Sequence, residues 1–419
     1  MNARGLALGM LLLGAASADV RGADSPLGAD RAAMMRLTVD SWISSQAPDG
    51  SLPYGYDFLA DKPTGPEGDP WAYIVRQAGS FFMLAEYFRY TGDSRLQEPL
   101  RRAIVALDRH SLPIGKRWMQ RWLEEMRILS LPFARWKLLR TLDQLGLLYQ
   151  DTGTGKVVSP DARYSSALAG AVAVSLLAEM SYARASGDER FATLRSAWLA
   201  GLLSLRIPGG GFRDTPTSID DSDYANGEGW FALAVYCDLH REDAHTAEIL
   251  AELDAAMLRR YADKPSRAFF HWGAMAAEQR HATTGDARFL QFIQRQAAVY
   301  FDRLQPRVDP VSNSCTDMEG LAAMLAAMTR SGADAALADR IRARLGSEAE
   351  KLPRLQVQPG QQGLTFAGEA RLTAPRMATF GGAFLVGRDT PTTQVDAAAH
   401  CLSALVRIER EALLPPASR

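Results

Sequence analysis

Residues 164–204 read YSSALAGAVAVSLLAEMSYARASGDERFATLRSAWLAGLLS. The first half is apolar on almost every side, which is typical of a buried helix. The second half has one apolar and one polar face, which is typical of a surface helix. Between them Gly187 can adopt the positive φ that ends a helix, and Asp188 can cap the start of the next helix. The stretch therefore predicts a helical hairpin with one buried and one surface arm.

The same hairpin pattern recurs along the chain, whereas strand-like alternation is scarce. The Gly-Asp turn is found again at Gly92-Asp93 and Gly285-Asp286, with a looser copy from Gly332 to Asp334. Buried helices are predicted at 73–91, 164–186, 226–240, 268–284, 315–331 and 393–412. Surface helices are predicted at 31–46, 94–109, 188–204, 243–262, 286–303 and 334–350.

The first surface helix has no buried partner before it, and the last buried helix has no surface partner after it. An open array of hairpins would need a polar cap at both ends, whereas a closed ring pairs these two helices with each other. The sequence therefore predicts an all-α fold, an (α/α)6 toroid of six hairpins over residues 24–419. Two irregular insertions interrupt it at about 110–160 and 351–390, the second with a β-hairpin formed by 363–366 and 383–386.

Residues 1–23 have the pattern of a signal peptide. Arg4 is the positive residue, Leu6 to Leu13 form a short apolar core, and Ala16-Ser17-Ala18 fits a cleavage site. No later segment approaches the roughly 20 apolar residues that span a bilayer, so no transmembrane segment is expected. We therefore expect a periplasmic or secreted protein.

Charge and cysteines restrict the choice of partners and cofactors. The 47 Lys and Arg balance 48 Asp and Glu, which argues against nucleic acid as a partner. The basic, Trp-rich stretch 116–140 is expected to pack over the rim of the ring, with peripheral contact to the cell envelope as the alternative.

Of three cysteines, Cys237 and Cys401 lie in apolar helical patterns that favour buried free thiols over a disulfide. No CxxC motif is present, and neither a metal nor a cofactor is expected.

Several short motifs resemble those of α/α-toroid proteins. They are GGGFRD at 209–214, GGAF at 381–384 and QAPDGSLPY at 46–54. Residues 163–168 and 226–230 resemble inner-helix starts in the C-terminal domain of glucuronyl C5-epimerases and in six-hairpin glycosidases and polysaccharide lyases. The resemblance implies a polysaccharide or oligosaccharide bound in a central cavity. Protein prenyltransferases, class II terpene cyclases and lanthionine cyclases fit less well, because their metal-binding or acid motifs are not matched.

Polar residues at the starts of the buried helices form the candidate site, since these helix ends should face the mouth of the ring. Carboxylates and amides bind sugar hydroxyls, and aromatic faces stack on pyranose rings. The catalytic candidates are Tyr164, Glu228, His271, Glu319, Asp396 and His400. The substrate-binding candidates are Tyr73, Arg76, Gln77, Asn226, Trp230 and Trp272.

Two carboxylates would suit a glycosidase. Glu228 is the first choice as acid or base, because burial would raise its pKa and Gly227 and Gly229 would let a ligand approach closely. The alternative is a helix-start carboxylate that satisfies free N–H groups. Glu319 is the second carboxylate, or else part of a capping box with Thr316.

Other candidates suit a lyase or an epimerase. His271 or Tyr164 would move the proton while Arg76 holds a uronate carboxylate, and Asp396 would orient His400 one helical turn away. The aspartates at 220, 221 and 223 would form a Ca²⁺ site or an ordinary solvated loop. Hydrolysis, β-elimination and C5-epimerisation stay open, and a non-catalytic glycan-binding or assembly protein of the cell envelope is the alternative.

Overall fold

The computed structural model describes residues 30–65, 69–116, 137–138, 141, 150–366, 368 and 370–416. The predicted signal peptide and nearly all of the 116–140 stretch lie outside these residues. In the described part of the chain, no helix is both long enough and apolar enough to cross a membrane.

Six helices form the inner wall of the ring, and their bounds agree closely with the predicted buried segments. They are α2 (Ile74–Thr91), α4 (Ala169–Ser186), α6 (Asp223–Leu239), α8 (Arg267–Thr284), α10 (Cys315–Ser331) and α13 (Val395–Arg410). The outer wall consists of α1 (Arg31–Ser45), α3 (Gln97–Arg109), α5 (Ala192–Ser204), α7 (Ala244–Tyr261), α9 (Ala287–Val299) and α11 (Ala335–Ala349). A short helix, α12 (Leu352–Leu355), begins the second insertion.

The inner helices close into a ring. Each packs against the next in chain order, and α13 packs back against α2. The first surface helix, α1, packs against α13, as the ring prediction requires. An ion pair between Arg31 and Glu409 joins these two helices. The predicted (α/α)6 toroid is therefore confirmed.

The Gly-Asp turns have the predicted geometry. Four helices end at a glycine whose φ lies between 66° and 70°: Gly92, Gly187, Gly285 and Gly332. Residues other than glycine rarely adopt this left-handed backbone conformation. Asp93, Asp286 and Asp334 each accept a backbone N–H at the start of the next helical segment. Asp188 accepts the N–H of Arg190, in the turn just before α5 begins at Ala192. Gly92, Gly187 and Gly285 in addition donate their own N–H to a carbonyl of the preceding helix.

Short strands line the mouth of the ring. One antiparallel sheet has the strand order β2-β1-β7 and consists of β1 (Gly55–Asp57), β2 (Lys62–Pro63) and β7 (Thr392–Gln394). Strand β7 directly precedes α13 in the sequence. Strands β3 (Ser111–Lys116) and β4 (Gln150–Val158) pair within the first insertion. Strand β5 (Gly363–Thr365) pairs with β6 (Arg371–Thr373). The predicted pairing with 383–386 is wrong, because Phe384 instead bridges to Gln356.

The prediction of a free thiol at Cys401 is also wrong. Cys401 on α13 forms a disulfide with Cys315, the first residue of α10, and their Cα atoms are 4.7 Å apart. The two residues are 86 positions apart in sequence, so only the closure of the ring reveals that they meet. Cys237 is free and buried, as predicted.

Candidate functional site

A cavity of about 500 Å³ opens among the N-terminal halves of the inner helices. Six of the residues singled out from the sequence line it: Arg76, Glu228, His271, Trp272, Asp396 and His400. They come from α2, α6, α8 and α13, which are far apart in sequence. The closed ring therefore brings them to one place.

His400 and Glu319 form the strongest polar contact at the cavity. Nδ1 of His400 lies 2.6 Å from Oε2 of Glu319, which is fully buried behind it on α10. Burial by itself would lower the pKa of His400, but the carboxylates of Glu319 and Asp396 together outweigh burial, and the pKa of His400 is raised above its ordinary value. At neutral pH His400 is therefore biased towards the charged imidazolium.

His271 has the opposite character. Its ring lies next to that of His400, with centroids 5.3 Å apart and the planes nearly perpendicular. Only 1% of the residue is exposed, and neither ring nitrogen has a hydrogen-bond partner among the residues that the structure describes. Burial, and then the charge of His400, hold the pKa of His271 well below its ordinary value. His271 is therefore a neutral imidazole, and a ligand in the cavity can supply the hydrogen bonds that the protein does not.

Arg76 and Asp396 form an ion pair on the cavity wall. Nε of Arg76 lies 3.3 Å from Oδ2 of Asp396. The guanidinium also contacts the hydroxyl of Tyr54 and lies over the ring of Tyr73, 4.9 Å from its centroid. In the described part of the chain, Oδ1 of Asp396 is buried and has no hydrogen-bond partner. The pair therefore places one fixed cation on the cavity wall, and one oxygen of its carboxylate is not used by the fold.

Glu228 lies on α6 across the cavity. Only 4% of the residue is exposed. Burial, and then the charge of Asp214, raise the pKa of Glu228 to about 8. Its carboxyl occupies the space beside Gly170 on α4, where an added Cβ would lie 2.1 Å from Oε2. At neutral pH Glu228 is therefore mostly a protonated acid, held in place by a close approach of two helices.

Other predicted binding residues serve the fold instead. The side chain of Gln77 hydrogen-bonds both backbone groups of Leu52. Asn226 accepts the N–H of Phe212, and Trp230 donates to a carboxylate of the outer wall. All three are fully buried and do not line the cavity. Tyr164 is also buried away from the cavity lining, and Tyr73 lies beneath Arg76 rather than inside the cavity.

Several predicted contacts also differ. The carboxylate of Glu319 contacts His400 instead of capping its helix, and Asp396 pairs with Arg76 instead of orienting His400. The space beside Gly227 and Gly229 is taken by the side chains of Trp272 and Phe212, so these glycines serve helix packing rather than a ligand.

Two of the three aspartates in the acidic stretch at the start of α6 are used by ion pairs. Asp221 pairs with Arg260, and Asp223 pairs with Lys264 and also accepts from Ser266. These contacts favour the ordinary acidic loop over a Ca²⁺ site.

Asp214 and Tyr224 are among the residues of the cavity wall that the sequence did not predict as site residues. Asp214 ends the GGGFRD motif, and burial raises its pKa. Tyr224, at the start of α6, is 53% exposed and lines the cavity. The signal was present in both cases, since each is a polar or aromatic residue next to a Gly-rich loop or an inner-helix start.

The histidines and Glu319 also have a composition that suits a metal ion. One ligand atom from each of His271, Glu319 and His400 lies within 4.8 Å of the others. Two histidines and a carboxylate are a known catalytic zinc set. A cation there would compete with the direct contact between Glu319 and His400, so that contact and metal binding are alternatives.

Comparison with solved structures extends the fold assignment. An α-1,6-mannanase, GH76A of Salegentibacter sp. HEL1_6, whose structure contains α-1,6-mannotriose, is 8% identical and superposes with a TM-score of 0.58. The alignment covers 92% of this chain and 100% of that chain. A D-mannose isomerase is 11% identical with a TM-score of 0.58, covering 91% of this chain and 97% of its own.

A sugar epimerase from a ruminal bacterium is 12% identical with a TM-score of 0.53, and the alignment covers 90% of this chain and 98% of that chain. No protein-family model and no curated protein sequence matches the chain. At these identities the likeness shows the α/α-toroid fold alone.

Proposed function

We propose that this protein is a carbohydrate-active enzyme that transfers a proton at the carbon beside a sugar carbonyl, as in epimerisation or isomerisation. The observation that carries the proposal is the pair of imidazoles in one open cavity. His271 is kept neutral by burial, and Glu319 shifts His400 towards its charged form. A base and an acid of the same residue type are thereby poised side by side.

The chemistry needs each of these states. The neutral imidazole of His271 removes the proton from the carbon next to the carbonyl, which leaves an enediolate. The imidazolium of His400 returns a proton to the carbon skeleton, and the two histidines exchange roles in the reverse reaction. Arg76 supplies a fixed positive charge for the enediolate oxygen. Epimerisation returns the proton to the same carbon. Isomerisation returns it to the former carbonyl carbon, while a hydroxyl proton passes between the two oxygens of the enediol, so both reactions balance without any other reactant.

The known proteins of this fold support the choice of substrate. The D-mannose isomerase and the sugar epimerase act on sugars. The cavity volume is in the range of small-molecule sites, so we propose an oligosaccharide or the end of a polysaccharide as the substrate. The buried disulfide suits an oxidising compartment, which supports the proposed periplasmic or secreted location.

Proton exchange tests this proposal directly. Purified protein is incubated with free sugars, uronates and short oligosaccharides in D₂O, and NMR reports deuterium at the carbon beside the carbonyl. Loss of exchange by at least about 100-fold is expected in His271→Gln and in His400→Gln, since a proton carrier typically contributes 10²–10⁴. His245→Gln, an exposed histidine on α7, is the matched control. Binding of a glycan without any exchange or product would instead favour the non-catalytic binding protein.

Two further readouts separate competing roles of the same residues. Activity that survives dialysis against EDTA is expected for proton transfer, whereas activity restored only by added Zn²⁺ would assign the histidines to a metal. Products that absorb in the ultraviolet would reveal an unsaturated sugar, and thus β-elimination rather than epimerisation.

Hydrolysis is the second candidate, and the raised pKa of Glu228 is the observation that favours it. An acid with a pKa of about 8 can protonate a leaving glycosidic oxygen at neutral pH. Asp214 or Asp396 would then be the second carboxylate. New reducing ends that vanish in Glu228→Gln but persist in His271→Gln would support hydrolysis over proton transfer at carbon.

A further inference from the structure

The disulfide lies directly beside the two residues that set the charge of the cavity. Cys315 is one helical turn before Glu319 on α10, and Cys401 follows His400 on α13. Both cysteines are at least 99% buried. The bond therefore joins the two helices at the level where the carboxylate of Glu319 meets the imidazole of His400.

A residue of the cavity wall connects to the same crosslink. Asn313 lines the cavity, and its side-chain amide donates to the carbonyl of Leu385 and contacts the sulfur of Cys401. Its side-chain oxygen accepts the backbone N–H of Cys315. The disulfide is therefore part of the wall that surrounds the proposed reaction.

We propose that the Cys315–Cys401 disulfide is a positioning device for the Glu319–His400 pair, so that full activity belongs to the oxidised protein. This inference rests on the proposed function. A dithiol reductant would donate two electrons and two protons and convert the disulfide to two thiols. Non-bonded sulfur atoms need more room than bonded ones, so α10 and α13 would separate locally. If the distance between the donor and the acceptor increases by about 1 Å, the hydrogen bond between Glu319 and His400 is lost.

The charge of His400 reports this geometry without any substrate. The groups that act on it are Glu319 from α10, Asp396 from its own helix, and Arg76, Glu228 and His271 from the other walls. Of these, Glu319 is the one that lies at hydrogen-bond distance from a ring nitrogen of His400. Separation of α10 from α13 should therefore lower the pKa of His400 towards its ordinary value.

The test compares the oxidised protein with the double variant Cys315→Ser/Cys401→Ser and with protein reduced by dithiothreitol. NMR of ¹³C-histidine-labelled protein gives the pKa of His400, whose signal is identified by its absence in His400→Gln. We expect a lowered pKa, a kcat reduced about 10-fold or more, and a KM changed less than about 3-fold. Cys237→Ser, the free buried cysteine, is the control and should match the parent.

An unchanged pKa of His400 in a folded double variant would overturn the proposal. Loss of the near-ultraviolet circular dichroism signal in both crosslink-free forms would also overturn it, because the disulfide would then be a general staple of the ring. A shifted pKa in a protein that turns over no sugar would retain the positioning role and reject the proposed activity.

Discussion

Glu228 is mostly an uncharged acid inside the cavity at neutral pH, so its ionisation at higher pH lowers the stability of the folded protein. The pKa is raised from 4.5 in the ordinary group to about 8 in the protein. Between those values the folded protein holds a proton that the unfolded chain releases. The stabilisation from this proton is complete below pH 4.5 and is lost as the pH rises towards 8.

Replacing this acid should therefore change how stability depends on pH. We expect Glu228→Gln to be more stable than the parent at pH 8, with the difference disappearing near pH 4.5. Each pH unit in that window changes the free energy of unfolding by at most about 1.4 kcal/mol. Urea denaturation at several pH values measures it. Glu248→Gln, an exposed residue on α7, is the control, and parallel curves for parent and Glu228→Gln would contradict the prediction.

The two histidines predict a bell-shaped dependence of kcat on pH. Activity should rise as the pH climbs through the lowered pKa of His271, which frees the base. It should fall as the pH climbs through the raised pKa of His400, which removes the acid. In Glu319→Gln the alkaline limb should move to lower pH, because the carboxylate that raises the pKa is gone. A limb that stays in place would exclude His400 as the acid.

At the scale of helices, the Gly-Asp turns let the effect of backbone conformation be isolated. A Cβ at Gly92 would meet nothing within 4 Å, but the residue has a φ of +69°. Gly92→Ala should therefore cost about 1 kcal/mol of stability from the left-handed conformation alone. A Cβ at Gly79, within α2, also meets nothing, and its φ is not positive. Gly79→Ala should be neutral or stabilising by up to about 1 kcal/mol. Thermal denaturation of both variants checks the contrast, and equal effects would refute it.

Ion pairs at the opposite end of the ring hold the inner helices together. Glu278 on α8 is buried and pairs with Arg407 on α13, at 2.9 Å, and with Arg330 on α10. Glu278→Ala takes this partner from the buried Arg407 and should destabilise the protein by about 3–5 kcal/mol. Asp339→Ala removes an exposed pair with Arg342 on α11 and should cost less than about 1 kcal/mol. Urea denaturation measures both, and similar losses would show that the buried pairs do not hold the ring.

Sequence periodicity predicted these helices well and the strands poorly. Each hairpin carries its own signal, because the contrast between a buried and a surface helix and the Gly-Asp turn are local properties. The pairing of β5 with β6, and the β1–β7 contact, depend on backbone groups that have no residue-type signature. The same limit applies to the disulfide, since 86 residues separate its two cysteines.

At the scale of the whole molecule, the sequence predicted where to look for a site but not which side chains face it. The starts of the inner helices do surround the cavity. Gln77, Asn226 and Trp230 nevertheless face away, because their polar atoms are used by neighbouring backbone and side-chain groups. Helical spacing predicts Asp396 as the partner of His400, whereas the group that contacts its ring nitrogen is Glu319, 81 residues earlier on α10. Such choices are made by packing between elements and cannot be taken from spacing along one helix.

The pairing of α1 with α13 has a consequence for how the chain is made. Arg31 contacts both Glu409 and the carbonyl of Pro415, so the two ends of the described chain are neighbours. During synthesis His400 leaves the ribosome after almost all the rest of the ring, and no shorter product can complete the cavity. A circular permutant could join the two ends and open the chain between Gly187 and Asp188. It would keep every contact of the cavity, and His400 would then be synthesised near the middle of the chain instead of near its end.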